Sequence, residues 1–143
     1  MPERTQGHTN EPEARRSMTN WALIAVGGAL GALLRHGLTL LIPRGGEEAF
    51  PWATLSANLI GCLLMGCAYA MAQREILVEP WRGLVMVGLL GALTTFSAFS
   101  QQMYELIQAG RLGLSISYAL MSVVSCLLLF AVTVWALSWV FKN

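Results

Sequence analysis

Apolar residues fill four long stretches of the chain, and the polar residues collect between them. The first stretch runs from about Trp21 to Ile42, the second from Trp52 to Ala72, the third from Trp81 to Gln108 and the fourth from Leu112 to Phe141. No side chain ionised at neutral pH falls between Glu48 and Arg74, between Arg82 and Glu105, or between Arg111 and Lys142. A charge-free apolar stretch of about 18 residues or more reads as a membrane-spanning helix, because about 20 residues at 1.5 Å rise cross the hydrocarbon core. The pattern therefore predicts an all-α membrane protein with four transmembrane helices. Pro43, Arg44, Gly45 and Gly46 begin the first loop, Pro51 opens the second span, and Pro80 precedes the third. Trp21, Trp52, Trp81, Trp135 and Trp139 lie near span ends, where amphipathic rings settle at the headgroup level. Residues 1–20 mix Glu, Arg and two prolines and read as a disordered or weakly ordered tail ahead of a membrane domain over 21–143. The run after Arg16 is too long for a signal peptide and lacks a small-residue cleavage site, and Met18 is an alternative start for the minimal protein.

Composition narrows the function. Of 143 residues, 55% are hydrophobic and 12% charged, against about 25% charged in an average soluble domain. This excludes a soluble enzyme, and the net charge of +1 offers no basic field for nucleic acid. Four spans put both termini on one side. That side carries Arg4, Arg15, Arg16, Arg74, Arg82 and Lys142; the other carries Arg44 and Arg111, with Arg35 near its end of the first span. The positive-inside rule leans towards cytoplasmic termini, but half of the lean rests on the tail, and the four-span body alone is nearly balanced. No internal repeat is visible, so one chain cannot build an inverted-repeat transporter, and any pathway needs surface from a dimer or larger assembly. Cys62, Cys67 and Cys126 lie inside spans and read as packing residues; two distant histidines give no metal-ligand spacing.

Candidate chemistry lies inside the spans. Gly27 and Gly31 form a GxxxG pair, which by itself signals a close helix crossing. Arg35 follows one turn later, and a cation at this depth must snorkel, pair or line a wet cavity. Asn58 is the carboxamide of the second span. It either bonds to a neighbouring helix or donates its NH₂ group to an anion, and its position alone leaves both open. The third span holds Gly91, Thr94, Thr95, Ser97 and Ser100, a dense run of small and hydroxylated residues. Such a run weakens a helix, and a break there would free backbone carbonyls able to bind a small cation. Phe96 and Phe99, three apart, share a face if the segment after the break is helical. Their bland role is packing; their alternative role uses the positive ring edge, which can line a path for a small anion. In the fourth span Tyr118 and Ser122 are four apart on one face, continued by Cys126. Single hydroxyls in membrane helices usually bond back to the backbone.

Taken together, GGALGALLRH (27–36), ATLSANLIGCLLMG around Asn58 and GALTTFSAFS (91–100) resemble the CrcB/Fluc family of fluoride channels. The third motif is the most specific, and the resemblance covers about residues 21–140. It implies a passive, fluoride-selective channel of the bacterial cell membrane that relieves cytoplasmic fluoride. It also implies an antiparallel, dual-topology homodimer, with the third helix broken mid-membrane and a structural sodium ion at the dimer interface. By resemblance the Gly91 and Thr94 carbonyls of both subunits hold the sodium, and Phe96 and Phe99 line the pore. Asn58 faces the fluoride path, Tyr118 and Ser122 continue a polar track with Thr95 and Ser97 nearby, and Arg35 borders the vestibule. Two positions depart from the family pattern: Gln102, where many members have Glu, and Cys126, where the track's next hydroxyl is expected. The competing expectation is a proton-coupled small multidrug transporter, which needs a membrane-buried acid that the first span lacks. No nucleophile–base pair suggests an enzyme.

Overall fold

The computed structural model describes residues 13–46 and 48–142. Among them, helix α1 spans Glu13–Leu41 and α2 spans Trp52–Ala72. The third apolar stretch is two helices. Helix α3, residues 83–93, consists of a π-helical segment, Gly83–Leu90, and one α-turn, Gly91–Leu93. After an interruption at Thr94 and Thr95, α4 spans Phe96–Gln108. Helix α5 spans Leu112–Val140. Four segments are long and apolar enough to cross a membrane: Arg15–Leu41, Trp52–Ala72, Gly83–Gln108 and Leu112–Val140.

Helices α2 and α5 match the second and fourth apolar stretches closely. Helix α1 begins earlier than the expected boundary at Trp21, so residues 13–20 continue the spanning helix. The reason is local: Glu13, Ala14, Arg15, Arg16 and Met18 are good helix formers, with no Gly or Pro among them. Helix α1 thus takes in residues 13–20 of the stretch expected to be disordered or weakly ordered; residues 1–12 lie outside the described residues.

Helices α1 and α3 cross at backbone contact. A Cβ added to Gly88 would lie 2.5 Å from the Ile24 carbonyl oxygen and 3.0 Å from the Gly27 Cα. One added to Gly27 would fall on the Leu84 carbonyl oxygen and 2.9 Å from the Leu89 nitrogen. The GxxxG pair thus serves helix packing, where close approach substitutes dispersion for a hydrophobic force that lipid does not supply. Elsewhere two apolar clusters hold the bundle, one of Leu55, Phe99, Leu106 and Tyr118, the other of Ala68, Leu90 and Leu93.

Polar contacts tie the helix ends in two groups. At one end Arg74 donates to the Phe141 carbonyl at 3.3 Å and lies over the Phe141 ring. At the other, Arg44 pairs with Glu105 at 2.6 Å and Arg111 with Glu48 at 3.1 Å. An up-and-down order of four spans requires this grouping. The outer faces stay apolar and open, as with Leu33, Leu120 and Leu127, which suits contact with lipid tails. The chain is a multi-pass membrane protein.

Candidate functional site

The site begins at the interruption. Thr94 adopts φ −81° and ψ 155°, and Thr95 φ −152° and ψ 123°, so two consecutive residues are extended between helices. In a continuous helix the Thr95 amide would donate to the Gly91 carbonyl. It donates instead to Asn58 Oδ1 at 2.8 Å. Asn58 Nδ2 in turn donates to the Thr95 carbonyl at 3.3 Å. The Ala98 amide, which would reach the Thr94 carbonyl, is taken by Thr95 Oγ1 at 3.2 Å as the cap of α4. One carboxamide on α2 therefore replaces the acceptor that the Thr95 amide has lost and adds a donor to the Thr95 carbonyl at the start of α4. Gly91 and Thr94 are left with carbonyls whose helical donors have gone elsewhere. The Thr94 hydroxyl donates to the Leu90 carbonyl at 3.0 Å, and its methyl group occupies the place a Cβ of Gly61 would need.

A cavity of about 400 Å³ opens beside the interruption, between α2, α4 and α5. Asn58, Gly91, Thr94, Thr95, Phe96, Phe99 and Ser122 all contribute to its wall. No wall residue is charged at neutral pH. Ser122 is 5% exposed, and its Oγ is a buried polar atom without a hydrogen-bond partner among the described residues. An orphaned buried hydroxyl is uncommon and marks a place where something polar is to be received.

Aromatic rings lead away from this wall. Phe96 and Phe99 have centroids 5.4 Å apart, and Phe99 and Tyr118 are 5.1 Å apart. Phe50 meets Tyr118 edge-on at 5.4 Å. The two phenylalanines share a side of α4, as their spacing implied, but their environments differ. Phe99 is buried in the core cluster, whereas Phe96, 77% exposed, projects from the outer surface of the chain.

Beyond the rings lies a bridge that sequence reading missed. Tyr118 Oη donates to Gln102 Oε1 at 3.0 Å, and Gln102 Nε2 donates to Thr54 Oγ1 at 2.8 Å. The residue that departs from the family pattern thus joins three helices. The Tyr118 hydroxyl thus donates to Gln102, and Thr54 Oγ1 accepts from it in turn. The one clue in the sequence was the amide at Gln102 itself, since Thr54 is 48 residues away.

Of the residues singled out from the sequence, Ser97, Tyr118 and Arg35 do not line the cavity. Ser97 Oγ sits 3.2 Å from Thr95 Oγ1 and Tyr118 is buried behind Phe99. Arg35 is half-buried on α1. The Asn58 amide makes an interhelical bond, and its side chain also lines the cavity.

Comparison with known proteins agrees with this architecture. The family model described as "CrcB-like protein, Camphor Resistance (CrcB)" matches residues 22–134. A protein of Shewanella amazonensis named "Fluoride-specific ion channel FluC" is 43% identical over 110 residues, covering 77% of this chain and 89% of that protein. One of the same name from Hahella chejuensis is 42% identical over 112 residues, covering 78% and 88%. Another from Magnetococcus marinus is 44% identical over 108 residues, covering 75% and 88%. The matched region takes in α2, the interruption and most of α5, and the chain belongs to the CrcB-like family.

Proposed function

We propose that this protein is a fluoride-selective channel, an ion channel and not an enzyme, that lets fluoride leave the cytoplasm passively. The observation that carries the reading is the cavity beside the Asn58-bridged interruption, whose polar groups are all neutral. Fluoride is small and strongly hydrated, so a pore must replace its water with donors. A fixed positive charge would bind the ion too tightly for throughput, whereas neutral donors at several sites let it enter and leave. The second N–H of Asn58, the unpartnered Ser122 hydroxyl and the edges of Phe96 and Phe99 supply such donors. Thr95 and Ser97 extend the hydroxyl surface, and Tyr118 fixes the ring of Phe99 and donates a hydrogen bond to Gln102. Arg35 borders the aqueous entrance. Relatives 42–43% identical to this chain are named fluoride-specific ion channels.

The working unit is an antiparallel homodimer with dual topology, in which the interruption lies mid-membrane. The cavity is open to the chain's surface and Phe96 projects outward, so a second copy is needed to complete the wall. The nearly balanced loop charges suit insertion in either direction. The Gly91 and Thr94 carbonyls, turned from their helical donors, fit a hard monovalent cation such as sodium when two copies present them to one another. Bound there, sodium would supply a fixed charge that holds the two interruptions together.

A proton-coupled multidrug transporter would need a buried acid. Among the described residues, no acid falls in α1 after Glu13, and Glu105 is held by Arg44. The experiment is halide efflux from proteoliposomes loaded with fluoride or chloride. Rapid fluoride loss with chloride retained is the expected result; equal rates for both ions, or no release of either, would overturn the reading.

A further inference from the structure

The cavity wall also carries sulfur. Cys62 on α2 and Cys126 on α5 both line it, together with Met65, and the two thiols are neighbours there. Cys67 does not line the cavity. Each thiol sits one helical turn beyond a proposed fluoride donor: Cys62 follows Asn58 by four residues, and Cys126 follows Ser122 by four. The two thiols thus face the same gap as those donors. Both are half-buried, so a small solute in the cavity can reach them.

We propose that Cys62 and Cys126 form a two-coordinate thiolate site for a soft metal ion of the Hg²⁺, Ag⁺ or Cu⁺ class, and that its occupation blocks the conduction cavity. Softness follows from the ligands, since thiolate and thioether sulfur prefer polarisable ions. The low coordination number follows from the count. No group of three or more His, Cys, Asp or Glu that could hold a metal occurs among the described residues, which disfavours the four-ligand geometry zinc requires. Met65 offers a weaker third sulfur on the same helix as Cys62. Binding Hg²⁺ exchanges two S–H bonds for two S–Hg bonds and releases two protons to water, with no change of oxidation state.

The blocking half of the proposal rests on the conduction route given above; the binding half does not, and the test separates them. The Cys67→Ser protein in detergent is titrated with HgCl₂ while sulfur-to-mercury absorption in the ultraviolet and proton release are followed. One Hg²⁺ per chain and two protons are expected. Adding Cys62→Ser or Cys126→Ser to the Cys67→Ser protein should weaken binding at least a hundredfold. In proteoliposomes, HgCl₂ should cut fluoride efflux through Cys67→Ser at least tenfold, a dithiol should restore it, and each serine variant should resist relative to its own untreated rate. Absence of saturable binding, or equal affinity in the serine variants, would overturn the site. Saturable binding with undiminished efflux would overturn the block and tell against the route through this cavity.

Discussion

The α1–α3 seam and the α2–α4–α5 quadrant are built from similar small and polar residues, yet they are opposite in character. At the seam Gly27 and Gly88 bring two backbones into contact, leaving no room for even a methyl group. In the quadrant Gly61 makes room for the Thr94 methyl group, and a cavity with an unpartnered hydroxyl opens beside it. The difference shows what each glycine is for. At the seam it lets helices associate without a hydrophobic force; in the quadrant it admits a neighbouring side chain beside an interruption that backbone bonds alone would not hold. Direct backbone contact marks one region, and unmet hydrogen-bonding capacity the other.

Substitutions can break that contrast in graded steps. The largest effect is expected of Gly88→Leu, which forces side-chain atoms onto the Ile24 carbonyl. It should destabilise the protein by about 3 kcal/mol and abolish the monodisperse gel-filtration peak in detergent. Asn58→Leu comes next, because the Thr95 amide loses its acceptor. A buried backbone donor left unmet costs about 1–3 kcal/mol, so the thermal midpoint should fall and fluoride efflux should drop at least a hundredfold. Ser122→Ala separates the two regions: its hydroxyl has no partner to lose, so stability should stay within about 0.5 kcal/mol while efflux falls about tenfold. Smallest is Gly28→Ala, which has open space at its Cβ. A helical Gly→Ala change there should leave efflux intact and raise stability by up to about 1 kcal/mol.

What the sequence disclosed depended on the range of the cause. Helix α2 runs from Trp52 to Ala72, the bounds its apolar run and flanking Pro51 and Gln73 indicated. The shared side of Ser122 and Cys126 followed from helical periodicity, and both line the cavity. The density of Thr and Ser after Gly91 marked a weak point, but the place of the interruption is set by Asn58, 37 residues away. Contacts at that separation leave no periodic trace. The same holds for the Thr54–Gln102–Tyr118 bridge and for the Arg44–Glu105 pair, 61 residues apart. Phe96 and Phe99 show the limit most sharply. Their spacing gave a common side, while α5 and the Phe50 loop decided that one is buried and the other is exposed.

The central claim is that fluoride passes along the cavity edge formed by the phenylalanine rings, and Phe96→Ile tests it most directly. Phe96 is 77% exposed in the single chain, so its loss should leave the fold of the chain itself intact. Fluoride efflux from proteoliposomes is measured for wild type and Phe96→Ile after gel filtration has shown the same assembled size for both. Efflux in the variant should fall to the leak of empty liposomes; wild-type efflux through correctly assembled Phe96→Ile would rule out passage along the rings.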